Sequence, residues 1–123
     1  MKILYVSHPF TGNEEENRKE ARLITAALQR KYPKYHFYNP LDALQAQGEA
    51  GLDYDAILEH CQCIIDACDG VILTGNWDQS KGCMKEKYFA ELAQKPVFES
   101  IANFEYNVNT EKLIKTEIRR RWP

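Results

Sequence analysis

Ser80, Gly82 and Glu86 stand just downstream of an apolar run, Val71-Ile72-Leu73, that ends at Thr74-Gly75. Such a run reads as a strand buried on both faces, and the segment from Ser80 to Ala93 then has helical spacing. Ser80 is placed to be the N-cap, its hydroxyl accepting an orphan amide one turn on, while Gly82 leaves the backbone open to close approach by a ligand. The free N–H groups of that first turn attract an anion such as phosphate. Glu86 follows the cap by about one and two-thirds turns, so it looks along the crevice at the sheet edge, where open α/β sheets bind ligands. The competing reading is an ordinary cap and an exposed glutamate paired with a nearby lysine.

The elements that must position these residues can be followed along the chain. Lys2 to Ser7 is a first strand, and His8-Pro9-Phe10-Thr11-Gly12 is a loop in which Pro9 and Gly12 break regular structure. Asn13 offers an N-cap with Glu16 at the capping-box position, and Ala21, Ile24, Ala27 and Leu28 form an apolar stripe on a helix ending near Lys31. Tyr35 to Tyr38 has strand character and stops at Asn39-Pro40. Leu41 to Leu52, with Gly48 and Gly51, reads as a polar, mobile connection. Asp53 caps a helix whose Ile57, Ile64 and Ile65 face the sheet, and Pro96-Val97-Phe98 is a short fourth strand. Asn109 or Thr110 is the expected cap of a last helix through Leu113, Ile114 and Ile118, with Arg119, Arg120 and Arg121 favourable at its C-terminal end.

Alternating strands and helices with right-handed crossovers predict an α/β domain, a flavodoxin-like three-layer α/β/α arrangement with a four- to five-stranded parallel sheet. Its topological switch brings the Ser7 to Gly12 loop and the Gly75 to Gly82 loop together over one crevice, with the segment after Asn39 as a further wall. Ser7, Pro9, Gly12, Asn39, Gly75, Trp77, Ser80 and Gly82 are therefore the candidate binding residues and Glu86 the candidate catalytic one. Trp77 is equally suited to stack on a base or to cover the sheet edge.

Composition fits one compact domain spanning residues 1–123, with 44% hydrophobic residues, enough to build a core. Sixteen basic against eighteen acidic residues, a net charge of −2, give no electrostatic footprint for a nucleic acid polymer. No signal peptide and no membrane-spanning run is read, which predicts a cytoplasmic protein without a membrane partner. Cys61, Cys63, Cys68 and Cys83 lack the paired spacing of a structural zinc site, and His8, His36 and His60 have no partner at metal spacing. Buried thiols are the expected state, with no metal and no cofactor.

Taken as strings, Cys68-Asp69 followed by Gly75 and Trp77, and Ser80, Gly82, Glu86 and Ala90 at their spacing, resemble the nucleoside 2-deoxyribosyltransferase-like superfamily. The chain is most similar to its small DUF4406 branch, where a G-W-x-x-S-K-G-A-x-x-E string recurs. Here one residue is added between Gly75 and Trp77, and Cys83 replaces the alanine. Met1 to Gly12, Asn39-Pro40 and Asp53-Tyr54 extend the resemblance over roughly residues 1 to 98.

The resemblance implies cleavage or transfer at the N-glycosidic bond of a (deoxy)nucleoside or its 5′-monophosphate. Glu86 would then be the nucleophile that forms a glycosyl-enzyme ester, and Ser80 would help to hold a 5′-phosphate. It also implies a homo-oligomer, since relatives complete their sites across a subunit interface. One departure matters: eight residues before Asp69, where relatives usually carry a further aspartate, this chain has Cys61. Asp55 or Glu59 substitutes only if the segment before the helix is arranged differently. A catalytically silent nucleotide-binding module is therefore the alternative to the enzyme, and a fold in which these residues serve only packing and capping is the third reading.

Overall fold

The computed structural model describes the backbone of residues 1–121 and the side chains of residues 1–111. Its order is β1 (Lys2–Ser7), α1 (Glu14–Lys31), β2 (Tyr35–Tyr38), α2 (Pro40–Ala43), α3 (Gln45–Glu49), α4 (Tyr54–Ala67), β3 (Gly70–Leu73), a 3₁₀ turn (Trp77–Gln79), α5 (Lys81–Leu92), β4 (Val97–Phe98) and α6 (Ile101–Arg121). The sheet is four-stranded in the order β2-β1-β3-β4, and every pairing is parallel. β1 and β3 are the central neighbours, with Tyr5 opposite Val71 and Ser7 opposite Leu73.

Strand alternation sorts the core into two layers. Leu4, Val6 and Ile72 point to one face, where they meet Leu28 of α1 and Phe104 and Val108 of α6. Tyr5, Val71 and Leu73 point to the other, against Cys61 and Ile65 of α4 and Ala90 of α5. Helices on both faces of a parallel sheet make this a flavodoxin-like three-layer fold. Phe104, 1% exposed, receives the rings of Tyr32, Tyr35, Phe37 and Phe98 edge-on at centroid distances of 5.4 to 5.8 Å. At the opposite end of the sheet from the loops, Asp69 accepts the Ile3 backbone N–H at 2.7 Å, tying the start of β1 to the end of the α4 connection.

Three local expectations are corrected. Leu41 to Leu52 is not an irregular connection: Asn39 accepts the Leu41 N–H at 3.1 Å and Pro40 sits at the first helical position, which starts α2, and α3 follows within the same segment. The last helix starts at Ile101, not at Asn109 or Thr110, because Ser100 accepts the Asn103 N–H at 3.0 Å and the apolar stripe begins at Ile101 and Phe104. Thr110 instead lies within the helix and donates to the Tyr106 carbonyl at 2.8 Å. Asn13 makes no side-chain cap. The start of α1 is held instead by Asn17, whose amide donates to the Phe10 carbonyl at 2.9 Å. The side chains of Leu113, Ile114, Ile118 and Arg119 to Arg121 lie outside the described residues.

Candidate functional site

Parallel strands that all end on one side leave their following loops to wall a crevice, and at that edge the chain encloses a cavity of about 1160 Å³. Both helical layers and the segment after β2 contribute to it. Pro9 and Gly12 come from the loop after β1, Arg18 from α1, Leu41 from α2, and Ser80, Gly82 and Glu86 from the start of α5.

Glu86 is 7% exposed, at the boundary between the cavity and the core. Its location follows from α5: Cys83, Glu86 and Ala90 are the buried positions of that helix, at the three- and four-residue spacing of one face. β1 supplies its partners. Tyr5 and Ser7 alternate on the same face of the strand, and the Tyr5 hydroxyl donates to Glu86 Oε2 while the Ser7 hydroxyl donates to Oε1 at 3.1 Å. Burial pushes the Glu86 carboxyl up to about 7, against the opposing pull of these two hydroxyls. The Tyr5 phenol is raised well above its ordinary value by burial and then by the Glu86 charge, so it remains a donor.

The α5 start is built as the spacing of Ser80 predicts. Ser80 Oγ accepts the Cys83 N–H at 3.2 Å, and Lys81 and Gly82 of the same first turn line the cavity. A Cβ built on Gly82 meets only Ser80 Oγ at 3.8 Å and the Tyr54 hydroxyl at 3.9 Å, so the backbone is open there.

The other predicted residues divide between wall and frame. Ser7 is fully buried beneath the cavity and acts on Glu86. Asn39 caps α2, and its neighbours Pro40 and Leu41 form the wall. Gly75 has φ of +61°, and a Cβ there would lie 2.9 Å from His8 Cε1. It packs the β3 loop against the β1 loop behind the cavity. Trp77 covers the sheet edge: its indole N–H donates to the Glu99 carbonyl at 3.0 Å and Lys87 Nζ lies 5.5 Å from its ring.

Cys61 lines the cavity close to Tyr5 and Glu86, and burial raises its thiol to about 12. Asp55 and Glu59 are exposed and do not reach the wall. Among the described residues the second carboxylate lining the cavity is Glu49 of α3. Sequence reasoning missed Tyr5, His8, Arg18 and Tyr54. The period-two spacing of Tyr5 and Ser7 is a signal that could have paired them as donors to one group.

His8 closes the rear of the site. Thr74 Oγ donates to the Ser7 carbonyl at 2.8 Å, so it accepts from His8 Nδ1–H, also at 2.8 Å, and Nε2 faces Glu20 at 3.2 Å. Burial lowers the His8 pKa, and Glu20 opposes that shift. Among the described residues no group of His, Cys, Asp and Glu is clustered to hold a metal ion, and no helix is long and apolar enough to cross a membrane.

No curated protein matches this chain. Residues 2–99 match the family model described as a domain of unknown function, DUF4406, and the chain belongs to that family.

Proposed function

We propose that the cleft cleaves or transfers at the N-glycosidic bond of a deoxynucleoside or its 5′-monophosphate, with Glu86 as nucleophile. The observation that carries this reading is a buried carboxylate on a cavity wall, oriented by two hydroxyl donors, on the same helix whose capped N-terminus opens into that cavity. The resemblance to the nucleoside 2-deoxyribosyltransferase-like superfamily supplies the reaction class. Loss of the base builds positive charge at the anomeric carbon, which an adjacent carboxylate stabilises and then captures. One Glu86 oxygen bonds to C1′ as the C1′–N bond breaks, its electron pair leaving with the base, which takes up a proton. Water or a second base then displaces Glu86 from the ester, giving hydrolysis or transfer.

Tyr5 and Ser7 fix the carboxylate in place and leave its pKa near the working pH, so an ionised fraction is present at neutrality. The proton for the leaving base has no donor at Cys61, whose thiol is held protonated and weakly acidic. Glu49 or water serves that step in this reading. The reading also carries self-association, as in the family resembled, which sedimentation velocity measures directly.

The test is base release from a panel of deoxynucleosides and their 5′-monophosphates, compared between wild type and Glu86→Gln. Release by wild type and its loss in the variant, with ligand still bound, is the expected result. Equal release from both places the chemistry elsewhere. Ligand bound without release from wild type favours the second reading, a silent nucleotide-binding module, for which the specific observation is Cys61 in place of a carboxylate beside Glu86.

A further inference from the structure

Arg18 is one of two cations on the cavity wall, with Lys81, that make no ion pair among the described residues. It stands on α1 with its guanidinium over the Phe10 ring, 5.2 Å from the centroid, and its Nε is buried without a hydrogen-bond partner. One turn further along the same helix, Arg22 gives the contrast: its Nε meets both oxygens of Asp42 at 2.9 Å. The acid of the next turn, Glu20, is turned to His8. Among the described residues Arg18 makes no ion pair and no hydrogen bond.

An unmet buried N–H carries an uncompensated desolvation cost, and a ligand that accepts from it removes that cost. The backbone that carries Phe10 is tied to the same helix, since Asn17 donates to the Phe10 carbonyl at 2.9 Å. The guanidinium is planar and holds its donors in one plane, a fork that matches two oxygens of a phosphate. From the other helical layer, Lys81 and Gly82 at the start of α5 line the same cavity. A cation from each layer suits a phosphate monoester better than a neutral sugar hydroxyl, with the carboxylates of Glu49 and Glu86 also on the wall.

We propose that Arg18 is the specificity-determining residue of the cleft and that it selects a nucleoside 5′-monophosphate over the free nucleoside. This rests on the nucleotide reading given above for the identity of the ligand, and on the cavity geometry for the anion.

Calorimetric titration tests it with three probes, a deoxynucleoside 5′-monophosphate, the matching deoxynucleoside and inorganic phosphate, against wild type, Arg18→Gln and Arg18→Lys. Wild type should prefer the monophosphate by about tenfold or more, the value of a charged hydrogen-bonded pair. Arg18→Gln should lose that preference while keeping nucleoside affinity within about twofold, and Arg18→Lys, which keeps the charge without the planar fork, should recover part of it. The melting temperature of ligand-free Arg18→Gln should not fall, so a loss of binding cannot be traced to unfolding. Equal affinity of wild type for nucleoside and monophosphate, an unchanged preference in Arg18→Gln, or no phosphate bound by wild type overturns the proposal. Because the affinities are compared whether or not base is released, absence of base release ends the glycosidic reading alone. Inorganic phosphate bound by wild type and not by Arg18→Gln, with no nucleotide bound, keeps the role of Arg18 as an anion site and ends its role in choosing among nucleosides.

Discussion

The Tyr5 hydroxyl donates to Glu86 Oε2, joining the central strand β1 to the helix α5 across the base of the cavity. Through this bond a core residue controls the protonation of the one carboxylate buried at the site. Tyr5→Phe keeps the ring and its stacking on Tyr38 at 5.8 Å while removing the donor. With that donor gone, the Glu86 pKa should rise further above about 7, because Tyr5 is the larger of the two hydrogen-bond influences that hold it down. The rising limb of base release against pH should move to higher pH in Tyr5→Phe, and Ser7→Ala should move it in the same direction by less. A limb unmoved by either substitution would mean that Glu86 ionisation does not set the rate.

The same pKa makes a stability prediction that needs no substrate. Burial holds the folded Glu86 at about 7 against its ordinary 4.5, so between those values the folded chain keeps a proton that the unfolded chain has released. This contribution is fully present below about pH 4.5 and is lost as pH rises to about 7, by roughly 3 kcal/mol at most. Glu86→Gln, which cannot ionise, should therefore gain on wild type as pH rises from 5 to 8, an effect urea denaturation resolves at each pH. A difference between the two proteins that does not change with pH would contradict the buried, proton-retaining carboxyl. The gain of Glu86→Gln at high pH, together with its loss of base release, is the stability-for-function exchange expected of an active-site acid.

The strands and the α5 start were legible because their signals are local. Val71 to Leu73 is apolar without interruption, and Ser80 caps the helix its position predicts. Asn39 and Ser100 were harder to read, since each is a polar residue whose capping role depends on the backbone turn that follows it. Arg18 and Tyr54 were invisible for a different reason. Each sits in or at the start of an amphipathic helix as an ordinary polar-face residue, and only the sheet order places it on the cavity wall. Trp77 offered two roles from its type alone, and the Glu99 carbonyl places it at the sheet edge.

Gly75 tests how firmly the two loops are joined behind the cavity. Its φ of +61° strains any residue with a Cβ, and that Cβ would also meet His8 Cε1 at 2.9 Å and Pro9 Cδ at 3.3 Å. Gly12 has φ of +100° with nothing within 4 Å of the same position, so it isolates backbone strain from collision. Gly75→Ala should cost about 1–3 kcal/mol in urea denaturation and exceed Gly12→Ala, because His8 is buried and held at Nδ1 by Thr74 and cannot step aside freely. Equal losses in the two variants would show that the β1 loop yields to the new methyl.

Ser80 is the residue at which helix capping and ligand binding can be separated by charge. Its hydroxyl accepts the Cys83 N–H at 3.2 Å, and Ser80→Ala should cost about 1 kcal/mol by leaving that amide unmet. Ser80→Asp restores a strong cap and places a negative charge at the positive end of α5, so its melting temperature should match or exceed that of wild type. The same charge now lies at the place proposed for the phosphate, beside Lys81 and Gly82 on the cavity wall. Ser80→Asp should therefore fold at least as well as wild type while losing affinity for a 5′-monophosphate, with the matching free nucleoside affected less. Alanine should show the reverse balance, a lower melting temperature with a smaller loss of phosphate affinity. Calorimetry and thermal denaturation on the two variants decide the matter, and an aspartate variant that binds the monophosphate as well as wild type would remove the phosphate from the α5 N-terminus.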